Sequence, residues 1–287
     1  MIGRRQVLTI LAGAALAPGL GAAAEWQGQA LGADARILIR GGEAPAALLA
    51  HVRTEIAALE AVFSLYRDSE LTRLNRDGAA EVSETMIDAL DLAMRVHRAT
   101  NGLFDPAVQV LWRQRVSGQG GVPLQPFGGL RRQGTRLRLA PGQALTLNGI
   151  AQGLATDRVI RMLTGQRLGQ VLVDLGEARA LDGDFRLELE DPQAGVLGQL
   201  TLRRGRAVAT SAPGAMILAD GQGHIMGPQG QPPRWSTVSV EADSAALADA
   251  ASTAFVLMDR DGIARAADAL NLHAVRLVDD KGDLTTL

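Results

Sequence analysis

The chain has 287 residues, of which 47% are hydrophobic, enough to bury the core of one large domain or two small ones. Without cysteine it can form no disulfide, carry no thiolate nucleophile and hold no cysteine-bound zinc or iron–sulfur cluster. A formal net charge of −2 gives no sign of a nucleic-acid partner and says little about other partners.

The first 24 residues are expected to be an address and not part of the fold. Arg4 and Arg5 precede an uncharged run from Val7 to Ala24 that ends in Ala22-Ala23-Ala24 before Glu25, the pattern of a twin-arginine export signal with a small-residue cleavage site. Its strongly apolar part, Val7 to Leu16, is too short for a spanning helix, which needs about 20 residues. Left uncleaved, the signal would tether the protein to the inner membrane. Cleavage after Ala24 removes two arginines, moves the formal charge from −2 to −4 and leaves residues 25–287 as the working domain. The expected destination is the bacterial periplasm.

Ala35 to Arg40 then predicts a strand. From Ala44 to Phe63 the residues Leu48, Val52, Ile56, Leu59 and Phe63 recur at helical spacing. Ser83 suits an N-cap for a helix in which Ile87, Leu90, Met94 and His97 share a stripe, which makes His97 a packing residue and not a ligand. Ser117 to Gly142, rich in Gly, Gln, Pro and Arg and without a sustained period, predicts a loop or irregular hairpin. A helix follows from Gly149 to about Leu163, then a buried strand from Val171 to Leu175. Further strands are expected at 185–190, 199–203, 207–210, 237–240 and 274–278, with helices over Ser244–Met258 and Gly262–Leu270. Strands and helices without strict alternation predict an α+β fold, a single large domain of mixed sheet and helices, and no doubly wound parallel sheet.

Chemistry-bearing patterns are sparse. Asp249 and Thr253 lie four apart in the penultimate helix, so a carboxylate and a hydroxyl share one face. Two hard oxygen donors suit Mg²⁺, which takes few protein ligands; the pattern equally fits a polar helix patch or a Thr hydroxyl bonded back to the Asp249 carbonyl. Gly149 and Gly153 open the helix of Leu147-Asn148-Gly149-Ile150-Ala151-Gln152-Gly153, where small residues let amides approach a phosphate, although glycine before a helix is also ordinary punctuation. Asp105 follows Gly102-Leu103-Phe104 and can serve as a turn or capping residue. Tyr66, the only tyrosine, offers a ring for stacking or simple surface packing. His224, in a glycine-rich loop, is a better general-base candidate than His51, His97 or His273.

The order and wording of these segments carry more than any one of them. Phe63-Ser64-Leu65-Tyr66, Asp68-Ser69-Glu70-Leu71 to Asn75, Gly102-Leu103-Phe104-Asp105-Pro106, Gly149-Ile150-Ala151-Gln152-Gly153, Asp174-Leu175-Gly176, Ala209-Thr210-Ser211, His224-Ile225 and Asp249 to Thr253 resemble the ApbE-type FAD:protein FMN transferases, from about Gly28 to Met258. The resemblance implies an α+β domain that binds FAD against Mg²⁺ and passes FMN to a Thr or Ser of a partner flavoprotein, with AMP leaving. It further implies metal ligation by Asp249, Thr253 and the Gly149 carbonyl, and flavin contacts at Leu31, Tyr66, Leu103, Phe104, Asp105, Thr146, Gln152 and Ile225, with His224 as base. Departures from the usual wording are Thr146 for Asp, Gln152 for Lys, Gly176-Glu177-Ala178 for Gly-Gly-Asp, and Gly227 for Asp in a loop one residue short before Gly230. The segments at 147–153 and 174–177 look like a NosX-containing branch associated with nitrous-oxide respiration, whose acceptor would be a membrane-bound flavoprotein. An FAD carrier without transfer activity, or a hydrolase releasing FMN and AMP, fits the same residues.

Overall fold

A computed structural model of the chain describes residues 8–10, 23–118, 123–218 and 221–287. The twin-arginine pair and most of the apolar run after it lie outside the described residues. Leu8–Ile10 forms strand β1, and β2 (Ala23–Ala30) crosses the expected cleavage point. β2 pairs along its whole length with β3 (Ala33–Arg40) through a two-residue turn at Leu31-Gly32, both with positive φ (50° and 80°), the geometry whose twist matches that of the strands it joins.

Helices dominate the next stretch. α1 (Ala46–Phe63) buries Val52, Ile56, Leu59 and Phe63 of the stripe expected from its spacing, and Val62 besides; Leu48, the other expected member, is only partly buried. α2 (Glu70–Asp77) was not expected; it starts from a reciprocal cap in which Ser69 and Thr72 each bond the other's backbone amide. After β4 (Ala79–Glu81), α3 (Glu84–Ala99) begins at Ser83, whose hydroxyl accepts from the Met86 amide as expected. α4 (Gln109–Ser117) precedes an irregular stretch containing β5 (Arg131–Gln133) and β6 (Arg136–Arg138), which with β4 make a small sheet in the order β4-β6-β5.

The remaining elements are α5 (Ala151–Leu163), β7 (Gln170–Asp174), β8 (Ala178–Ala180), β9 (Phe185–Asp191), β10 (Gly195–Leu202), β11 (Ala207–Ser211), β12 (Thr237–Ala242), α6 (Ala245–Phe255), α7 (Arg260–Leu270), β13 (Ala274–Val278) and β14 (Leu284–Thr286). The main sheet has eight strands in the order β14-β13-β12-β11-β8-β7-β3-β2, and every neighbouring pair is antiparallel. Alternation splits its side chains between two layers. Ile37, Ile39, Val171, Val173, Val238 and Val240 face the helices in the larger core, while Leu38, Leu172 and Val208 face Phe185, Leu187, Leu200 and Leu202 of the β9–β10 hairpin. β1 adds to the free edge of β9. The architecture is one α+β domain, as expected; among the described residues no helix is long and apolar enough to cross a membrane.

Candidate active site

The site rests on the closeness of two helices. α6 is built almost wholly of small residues, with Ala245, Ala246, Ala248, Ala250, Ala251 and Ala254 all buried, and α5 meets it at Gly153. A Cβ at Gly153 would stand 2.4 Å from the Ala245 carbonyl oxygen, so no larger residue fits. That approach lets the Gly153 amide donate to Asp249 Oδ2 at 3.2 Å, and it sets Gly149 against Thr253, whose Oγ1 lies 2.9 Å from where a Cβ would be. Asp249 is 4% exposed. The three residues that the resemblance assigns to a metal thus come together at the α5 N-terminus. Their donor set is one carboxylate, one hydroxyl and the backbone of a glycine, all hard oxygen, which fits Mg²⁺. The bond back to the Asp249 carbonyl is made by Ser252 at 3.0 Å. Thr253 Oγ1 instead lies 3.4 Å from Ser211 Oγ, which is also 2.9 Å from Ser252 Oγ.

Sequence reasoning missed the residue that holds α6 in place. Asp157, buried on α5, accepts from the Ser244 hydroxyl at 2.7 Å and from the Ala245 and Ala246 amides at 3.0 and 3.1 Å, and pairs with Arg179 at 2.5 Å. A carboxylate on the first amides of a helix complements its dipole and satisfies donors that have no partner within the helix.

The flavin-contact candidates fall into supported groups. Leu31 has φ of 50°, a left-handed conformation uncommon outside glycine, and its amide donates to Glu60 Oε1 at 3.2 Å. The other Glu60 oxygen takes Arg67 at 2.8 Å, next to Tyr66, so a single carboxylate braces both turns. Tyr66 is 80% exposed and leaves its ring available for stacking. Leu103, Phe104 and Asp105 follow Asn101 and Gly102, both at positive φ. Phe104 is buried; its amide donates to Thr100 Oγ1 and its carbonyl accepts from His97 Nδ1 at 2.8 Å. Asp105 caps the turn at 106–108: its two oxygens accept from the Ala107 and Phe127 amides at 2.7 and 3.2 Å. Burial raises its carboxyl pKa, partly offset by those amides and by His97. Thr146 joins this group through its amide, which donates to the Pro106 carbonyl at 2.8 Å. Asn75 secures the approach by bonding both the carbonyl and the amide of Leu145 at 2.7 Å.

Gln152 is buried, with its side chain against Gly176, whose φ is +104° and where a Cβ would come 2.9 Å from Gln152 Cδ. Glu177 links the same layers: its carbonyl accepts from Thr156 Oγ1 at 2.8 Å and its carboxylate from the Thr210 amide at 3.1 Å, tying α5 to β11 and so to Ser211. His224 and Ile225 sit in the loop after β11, anchored by the His224 amide on the Met216 carbonyl. At Gly227, where the resemblance expects an Asp, the Gln231 side chain fills the space: a Cβ would stand 2.1 Å from its Oε1.

Comparison with known proteins follows the same outline. A Rhodobacter capsulatus protein named FAD:protein FMN transferase is 28% identical over 273 residues, covering 82% of this chain and 52% of that protein, so the chain spans about half the length of this relative. The fold matches that of the apo flavinyl transferase ApbE of Pseudomonas stutzeri with a TM-score of 0.78 at 24% identity, over 95% of this chain and 96% of that one. It matches the ApbE protein of Thermotoga maritima with a TM-score of 0.81 at 23% identity, over 92% and 96%. The ApbE family model fits residues 31–276, from the turn at Leu31 through both helices of the site to the last long strand, and the chain belongs to that family.

Proposed function

We propose that this protein is an FAD:protein FMN transferase. The observation that carries the reading is the junction of α5 and α6, where Gly149, Asp249 and Thr253 converge beside a helix N-terminus suited to a pyrophosphate. In the reaction the hydroxyl oxygen of an acceptor Thr or Ser bonds to the FMN phosphorus, the bond from that phosphorus to the bridging oxygen breaks, and AMP leaves. Mg²⁺ held by Asp249, Thr253 and the Gly149 carbonyl would neutralise charge on the pyrophosphate. The His224 imidazole takes the hydroxyl proton, and the Tyr66 ring and the 103–105 turn hold the flavin end. Arg4-Arg5 and the run after them support action in the periplasm, and the NosX-like wording supports a membrane-bound respiratory flavoprotein as acceptor.

The test is incubation of the protein with FAD, Mg²⁺ and a candidate acceptor, with mass spectrometry of the acceptor and chromatography of the flavin. FMN-labelled acceptor with AMP is the expected result; free FMN without labelling would make the protein a hydrolase, and bound but intact FAD a carrier. Asp249→Ala should remove Mg²⁺-dependent turnover while the protein still unfolds cooperatively, at a midpoint lowered by the loss of the acceptor for the Gly153 amide. Transfer at the parent rate in that variant would end the metal assignment.

A further inference from the structure

A concave surface lies beside the small sheet. It is a cleft of about 750 Å³ to which α4 turns the face Val110, Arg113, Gln114 and Ser117, with the rest of the lining drawn from 75–79 and 138–144. Ala79, Val110, Ala140 and Ala144 supply small apolar patches, and Arg76, Arg113 and Arg138 supply charge. The single acid in the lining, Asp77, is held by Arg76 through two parallel bonds of 2.8 Å, so that pair cancels itself. Arg113 and Arg138 have no acid within ion-pair distance among the described residues. Arg138 also stands directly opposite Arg131 in the β5–β6 ladder, while Arg136, on the same side of β6, faces Glu81 of β4. Like charges paired across a ladder destabilise it, and among the described residues neither Arg131 nor Arg138 has a carboxylate within ion-pair distance. Arg132, by contrast, has both oxygens of Asp91.

The excess charge faces a concave surface that a flat bilayer could not enter, and its alternation of cationic and small apolar groups suits an extended chain with acidic side chains. Ala144 lines the cleft and Thr146 is a flavin-contact candidate two residues on, a span of at most about 7 Å along the chain. We propose that the cleft binds an acidic polypeptide segment. Resting on the transfer activity proposed above, that segment belongs to the acceptor protein and flanks the hydroxyl that receives FMN.

The test is fluorescence anisotropy of a short fluorescein-labelled peptide of alternating Glu and Gly with the full-length protein, at low and high salt, for the parent and for Arg113→Gln/Arg138→Gln. The parent should bind, salt should weaken binding, and the double variant should bind about tenfold more weakly, the combined worth of two exposed charge contacts. FAD affinity, measured in parallel, should be the same in both proteins. No binding by the parent, or equal binding by the variant, overturns the proposal. Sedimentation with phosphatidylglycerol vesicles but no peptide binding also overturns it, in favour of a membrane-facing surface. Arginine-dependent peptide binding by a protein that never labels an acceptor would leave the cleft standing and remove the transferase reading alone.

Discussion

Burial pushes the Asp174 carboxyl up to about 6, with the Gly176 amide at 3.0 Å and the charge of Arg36 offsetting only part of the desolvation. A carboxyl whose folded pKa lies above its unfolded value of 3.8 gives stability that is full below that value and is lost as pH rises to about 6. Asp174→Asn keeps an oxygen for the Gly176 amide and removes the penalty. It should be more stable than the parent at pH 8 by up to about 3 kcal/mol, with the gap closing near pH 4. Urea unfolding at the two pH values decides it, and a gap independent of pH would show that ionisation is not the cause. His224→Asn should keep FAD and Mg²⁺ binding yet slow transfer roughly 10²–10⁴-fold. Equal labelling rates in the two proteins would move the base to a carboxylate such as Asp249 or Glu177. The Asp249–Thr253 pair was legible in the sequence because its geometry is local. The supports were not: Leu31 finds Glu60 29 positions away, Ser211 finds Thr253 42 away, Asn75 finds Leu145 70 away, and Asp157 finds Ala245 88 away.

Among the elements, the contact of α5 with α6 is the least forgiving. The obstacle to Gly153→Ala is the Ala245 carbonyl, which is backbone and cannot swing aside. The variant should lose about 1–3 kcal/mol through overpacking. Because Gly149 leads into α5 and Thr253 lies on α6, it should also need more Mg²⁺ for half-maximal activity. Calorimetry and a metal titration report the two effects; a variant that loses stability but keeps its Mg²⁺ dependence would uncouple the packing from the site. The long helices announced themselves by apolar spacing, and α3 by its Ser83 cap. α2 is eight residues long with Thr72 in place of the acid or amide that usually completes such a cap, and α4 sets Val110, Leu111 and Trp112 in a row, which has no helical period. β8 and β14 are three residues each and are strands only because of the neighbours they pair with.

On the scale of the whole molecule, one join governs the rest. β3 pairs with β7, residues 36–40 against 170–174, and the chain between them carries α1 to α5. Leu31, Tyr66 and Asp105 precede the far side of this join, and His224, Asp249 and Thr253 follow it. Closing so long a loop costs entropy that is recovered only once the strands have paired, so the join is expected late in folding. A ligand that needs both sides has nothing to hold until then. FAD should therefore leave the refolding rate unchanged and act on unfolding alone, slowing it about a hundredfold at a hundred times its dissociation constant. Stopped-flow measurement of both rates would show it, and faster refolding with FAD would mean that the flavin site forms before the sheet closes. On the proposed reading the antiparallel ladder between β3 and β7 would act as a clock: occupancy by the flavin would date the final assembly step, and a chain that had bound FAD would by that fact have finished folding.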